Sequence, residues 1–315
     1  MSFAPLFSSI GIMACVLGIG AMIGRSMKVT IEARQLLISI ILNVAVPCII
    51  LNGVFQSPQD GKLLSYIFLT ILVSVALNCA GMLLAYLFAI IFRIPVLKRK
   101  EFTFIAGLGN TGFIGLPLCA ALFGPLGGLL AAIYDAGLDL VIWTVGVFVL
   151  QGGGKFSWKQ LRSVVNIPMI AIVVGLVLAW TGYQPPVLVK SLTAMLSSLA
   201  APLAMLYIGI LIPQLLGQKK MPSYIFPIIS VAQIVKLMIY PLAVATTLLL
   251  LQLPLEIAQV TLIMSAMPTI TLASIMFAKY AADENLGVAA TVFSTIISLI
   301  TIPFVVMLGN YIVFS

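Results

Sequence analysis

Apolar runs of about twenty residues follow one another from end to end of this chain, and each is long enough to cross bilayer hydrocarbon as a helix. In lipid every backbone N–H and C=O must be satisfied within the protein, so runs this continuous can only be helices. Ten spans are read, at 5–24, 35–55, 63–92, 101–122, 126–150, 164–182, 190–212, 223–250, 255–278 and 286–312. The expected fold class is therefore an all-α polytopic membrane protein with ten transmembrane helices. Only 8% of the residues are charged, against roughly 25% in soluble domains, and the longest polar connection, Gln151 to Arg162, is a linker and not a domain. The first run lacks a basic n-region and is too long for a signal-peptide core, so it reads as a retained span.

The basic residues are sorted by side. Connections after the odd-numbered spans hold Arg25, Lys28, Arg34, Arg93, Lys98, Arg99, Lys100, Lys155, Lys159, Arg162, Lys219, Lys220 and Lys279, thirteen of the sixteen. The opposite connections hold Lys62 and Lys190, and Lys236 lies inside span eight. By the positive-inside rule the odd connections face the cytoplasm and both termini face outside. Charges scattered in this way do not make a nucleic-acid surface. The chain has no histidine, and Cys15, Cys48, Cys79 and Cys119 sit singly in apolar runs. No metal centre, disulfide frame or cofactor is expected.

Within span four the stretch Gly109-Asn110-Thr111-Gly112-Phe113-Ile114-Gly115-Leu116-Pro117 sets three glycines, an amide and a proline into hydrocarbon. Glycine disfavours helix and proline withholds an N–H, so a break is expected near the middle of the span. Asn43 to Pro47 in span two carries a similar polar-plus-proline signal. Comparing the halves, Pro47 and Pro202 are 155 apart (202 − 47), as are Pro58 and Pro213, and Glu101 and Glu256. Five crossings per 155 residues place a second copy upside down, the inverted-repeat design of secondary transporters. The expected halves are 1–155 and 156–315. The repeat predicts a second break in span nine, where Met264 to Thr271 include Met267, Pro268 and Thr269. Two half-helix starts meeting at one depth would present amide N–H groups and partial positive charge, an anion site without arginine.

Asn110, Gly112, Gly115 and Pro117 form an N-x-G-x-x-G-x-P pattern. With Asn43 to Pro47, Ala200 to Pro202, Ala266 to Pro268 and the hydroxyl-rich tenth span, it resembles the auxin efflux carrier family, which includes bacterial malate permease-like proteins. The resemblance covers essentially the whole chain. It implies two inverted five-helix repeats with spans four and nine crossing at their breaks, a scaffold of spans 1, 2, 6 and 7, and a transport domain of spans 3–5 and 8–10. It also implies a homodimer, substrate contact by Asn110, Thr111 and the neighbouring backbone, and a small organic anion as cargo. The chain lacks the long cytoplasmic loop of the plant carriers, which points away from auxin and towards a small carboxylate.

Ionisable groups at membrane depth face the bundle interior or a water-filled cavity. Asp135 and Asp139 share one face of span five, and Lys236 lies near the middle of span eight. They couple transport to protons, or a Lys236–Asp pair locks two helices, or Asp135 is plain surface near the outer interface. Ser294, Thr295, Ser298 and Thr301 offer a third possibility, sodium coordination. Lys279, Asp283 and Glu284 read as a solvated turn, Trp158 and Trp180 as interfacial, and Trp143 as packing. Without histidine or a Walker loop the chain is not read as an enzyme or ATP-driven pump. The rivals are a sodium-coupled carrier resembling the bile acid symporters and a membrane sensor that binds without flux.

Overall fold

The computed structural model describes residues 3–27, 29–57, 62–152, 165–216 and 224–314. Lys28, Pro58, Lys155, Trp158, Lys159, Arg162, Lys219 and Lys220, on which parts of the charge and repeat argument fall, lie outside the described residues. Among the described residues six helices are long and apolar enough to cross a membrane: Glu32–Gln56, Lys62–Ile91, Thr111–Leu150, Val187–Pro213, Ile225–Leu251 and Glu284–Val313. Gly11–Ser26, Ile167–Thr181 and Leu255–Ser265 are shorter apolar helices. The chain is thus an all-helical, multi-pass membrane protein. Large apolar side chains such as Phe68, Leu72 and Leu83 lie exposed on Lys62–Ile91, where lipid and not water is their solvent.

The 40-residue stretch Thr111–Leu150 would run about 60 Å as one straight helix, twice the hydrocarbon thickness of roughly 30 Å. It does not run straight. Gly124 has φ 67° and ψ −158°, followed by Pro125. A Cβ on Gly128 would lie 3.1 Å from the Cβ of Ala120, although eight residues of helix separate their ends by about 12 Å. The chain therefore doubles back at Gly124, the left-handed conformation that glycine supplies without Cβ strain. This hairpin falls in the gap expected between spans four and five.

The prolines act differently from expectation. Five-residue π turns at Ile41–Ala45, Thr111–Gly115 and Val235–Ile239 immediately precede the helices carrying Pro47, Pro117 and Pro241 in their first turn. The wider turn accommodates the missing N–H and the ring, so the helix continues. Span two is consequently not broken at Asn43 to Pro47, and the break in span four lies at Leu108–Asn110, well before Pro117. Span nine opens between Leu255–Ser265 and the seven-residue helix Ala273–Lys279.

Close helix contact is bought with glycine in span one. A Cβ on Gly20 or Gly24 would lie 2.5 Å from the carbonyl oxygen of Leu206 or Ile210, whereas Gly11 and Gly18 face nothing within 4 Å. At the far end of the bundle, Asp283 accepts from Lys98 Nζ (2.8 Å) and the Tyr224 hydroxyl (2.7 Å), and its N–H donates to Glu101 Oε1 (2.9 Å). Lys98 Nζ is also 3.4 Å from Glu101. Lys279 and Glu284 are exposed, as a solvated turn would have them, whereas Asp283 sits in a partly buried polar knot joining three connections. Burial pushes the Asp283 carboxyl up, but the hydrogen bonds from Lys98 and Tyr224 outweigh it and hold the group below its ordinary value.

Candidate functional site

The two breaks meet. Asn110 N–H donates to Pro268 O (2.6 Å) and Ile270 N–H to Leu108 O (3.3 Å), an isolated antiparallel bridge centred on Gly109 and Thr269. Backbone freed from both helices is thereby satisfied by the other break, as hydrocarbon requires. Side chains finish the junction. Asn110 caps the following helix by accepting from Phe113 N–H (3.3 Å), and its Nδ2 donates to Thr271 Oγ1 (2.7 Å). Thr269 N–H donates to Ser294 Oγ (3.0 Å), and Thr269 Oγ1 to Ile105 O (2.9 Å).

A cavity of about 220 Å³ opens against this junction. Its polar lining is Asn43, Asn110, Thr111, Asp135, Asp139, Asn166 and Thr271, with Phe113, Leu138, Ile142 and Trp143 among the apolar walls. Thr111 Oγ1 donates to Asp135 Oδ1, and Asn166 Nδ2 donates to Asp139 Oδ2 (3.2 Å). Asn166 also caps the helix Ile167–Thr181 through Met169 N–H (2.9 Å). Among the described residues no arginine or lysine lines this cavity.

The glycines of the motif are spaced to admit three partners. A Cβ on Gly109 would lie 3.1 Å from Lys236 Nζ, one on Gly112 2.9 Å from Asp135 Oδ2, and one on Gly115 2.6 Å from Met264 Sδ. None of the three has a positive φ, so their requirement is space and not backbone freedom. The arrangement corrects the picture of two bare amide ends. Asp135 already stands against the first turn after the span-four break, and the amides of Asn110, Phe113, Thr269 and Ile270 all have acceptors.

Of the residues singled out from sequence, Asn43, Asn110, Thr111, Gly112, Asp135 and Asp139 share the cavity. Met267, Pro268 and Thr269 are buried in the junction behind it. Pro117 lines a second cavity, of about 310 Å³, on the other side of the π turn with Asn52, Gly124 and Ser197. Asp135 is not plain surface, and Lys236 pairs with neither aspartate. Its ammonium donates to Ser265 O (3.0 Å) and lies 4.4 Å from the Tyr240 ring centroid. Ser294, Thr295 and Ser298 donate to carbonyls of their own helix, Ser294 while also accepting the Thr269 amide, and Thr301 Oγ1 is buried without a partner. Trp143 lines the cavity beneath Lys279, whose Nζ is 5.4 Å from its ring. Asn166 was missed; an asparagine directly before Ile167-Pro168 was its helix-cap signal.

Interrupted membrane helices, hydrogen-bonded at their breaks beside a polar cavity, define a membrane transporter. The chain belongs to the membrane transport protein family, that of the auxin efflux carriers, which it matches over residues 8–306. It is 26% identical over 278 residues to an uncharacterized transporter of Methanothermobacter thermautotrophicus, covering 86% of this chain and 88% of the relative. It is 25% identical over 277 residues, with the same coverage, to an uncharacterized transporter of Methanocaldococcus jannaschii. The membership is in a transport family and not in an enzyme family.

Proposed function

We propose that this protein is a secondary transporter that carries a small organic carboxylate in the cavity beside the span-four break. The observation that carries the reading is the lining: a capped helix start with Asn110, Thr111 and Gly112, and Asp135 and Asp139 beside it. The size selects the cargo class. At roughly 30 Å³ per water the cavity holds the volume of about seven waters, room for a small acid and too little for a sterol. Two carboxylates with no basic residue among the described lining repel an anion, so the acid enters with a proton on the Asp135–Asp139 pair, and the carrier is a proton symporter. The second cavity, across the π turn and against the same span two, fits the opposite access state. Two inverted halves, 1–155 and 156–315, with spans 3–5 and 8–10 moving against spans 1, 2, 6 and 7, account for that exchange.

The same lining favours one other reading, a cargo that brings its own ammonium group to the aspartates. Uptake into proteoliposomes separates them. Labelled malate and related acids should accumulate when the outside is acidic, and collapsing the pH gradient should stop them. Accumulation of aminocarboxylates alone, independent of the gradient, supports the second reading. No flux of either class refutes both.

A further inference from the structure

Lys236 takes no part in the cavity, yet it is 1% exposed, and among the described residues no carboxylate lies within ion-pair distance of it. An unpaired ammonium in hydrocarbon is expensive unless something negative faces it. What faces it is backbone. Leu255–Ser265 ends at the junction, and a helix C-terminus carries unpaired carbonyls and a partial negative charge. The neighbouring carbonyls already have donors: Leu262 O and Ile263 O take Ala266 N–H, Met264 O takes Met267 N–H, Ile105 O takes Thr269 Oγ1 and Leu108 O takes Ile270 N–H. Ser265 O takes Lys236 Nζ. Gly109 makes room for that ammonium, Tyr240 lays its ring beside it, and the π turn Val235–Ile239 delivers it.

We propose that Lys236 is the resident counter-charge of the junction, occupying the place that a coupling metal cation would otherwise take among these carbonyls. Transport therefore proceeds without sodium or potassium. Of the span-ten hydroxyls, Thr295 and Ser298 donate to carbonyls of their own helix, Ser294 does so while accepting the Thr269 amide, and Thr301 Oγ1 is buried without a hydrogen-bond partner. Lys236 is a positioning residue: it holds the end of the first half of span nine, and through the bridge it holds Asn110.

The inference rests on the transport reading, but one arm of its test needs no cargo. Purified full-length protein is melted in sodium, potassium and choline salts at equal ionic strength, and acid uptake is measured in the same three salts. Equal melting temperatures and equal uptake are expected. A melting temperature that climbs to saturation with sodium, or uptake that requires sodium, overturns the proposal. Lys236→Ala should lower uptake by at least about tenfold, as expected for one lost charge-assisted hydrogen bond, and added propylammonium should restore uptake and melting temperature together. Wild-type behaviour of that variant, or a loss that propylammonium leaves untouched, also overturns it. Should the wild type move no acid at all, the transport reading fails while the salt series still decides the role of Lys236.

Discussion

Replacing Asn110 tests the junction and the cargo site together, because its backbone and side-chain hydrogen bonds separate cleanly. The backbone bond to Pro268 O survives any side chain, whereas the bonds to Phe113 N–H (3.3 Å) and Thr271 Oγ1 (2.7 Å) belong to the amide. Asn110→Ala removes a helix cap worth about 1 kcal/mol and a neutral hydrogen bond worth about 1 kcal/mol. The sum of about 2 kcal/mol corresponds to a fall in melting temperature of about 3 °C for a chain of this size. Asn110→Asp keeps the capping acceptor, and Thr271 can turn its hydroxyl to donate, so its cost in stability is below about 1 kcal/mol. It does, however, place a third carboxylate beside Asp135 and Asp139. The expected pattern is a clear melting shift for alanine, a small one for aspartate, and loss of acid uptake in both. Paired melts and proteoliposome uptake measure it. Aspartate transporting at the wild-type rate would refute the argument, since a further negative charge in that cavity could not then be felt by the cargo.

Three further outcomes follow from the geometry. Gly112→Ala sets a Cβ 2.9 Å from Asp135 Oδ2, driving the carboxylate off the Thr111 hydroxyl; overpacking of this kind costs about 1–3 kcal/mol, and uptake should fall with it, as melts and flux assays will show. Asp139→Asn keeps the shape of the side chain but not its proton, so uptake measured over a series of external pH values should lose its dependence on the gradient. For Asp283, whose folded carboxyl lies below its ordinary value of 3.8, the stabilisation is present above that value and is lost as pH falls through the folded one. Melting temperature should therefore drop under acid in the wild type and drop less in Asp283→Asn.

The membrane class was legible because hydrocarbon admits so few backbone arrangements, and runs of apolar residues declare it directly. The junction was half legible. Asn110 with Gly112 and Gly115 marked the right helix, but glycine was read as a breaker when its use here is to admit Lys236, Asp135 and Met264, partners from three other elements that no local pattern names. Proline misled for a related reason. Pro47 and Pro117 are absorbed by π turns, and whether a helix widens or snaps depends on the pairing its backbone can find elsewhere. Asp135 and Asp139 were correctly taken as one face, yet nothing in their spacing revealed Asn166 opposite them, which reaches the cavity from the next span.

The bridge between Leu108–Asn110 and Pro268–Ile270 also bears on how the chain is made. Its partners are separated by 158 positions (268 − 110), so the ribosome releases span four into lipid long before span nine exists. Until then Leu108 O lacks its donor and Asn110 N–H its acceptor, at a cost of several kcal/mol each in hydrocarbon. The amino-terminal half thus cannot reach its final form in isolation. The seam closes only once the late helices have entered the membrane.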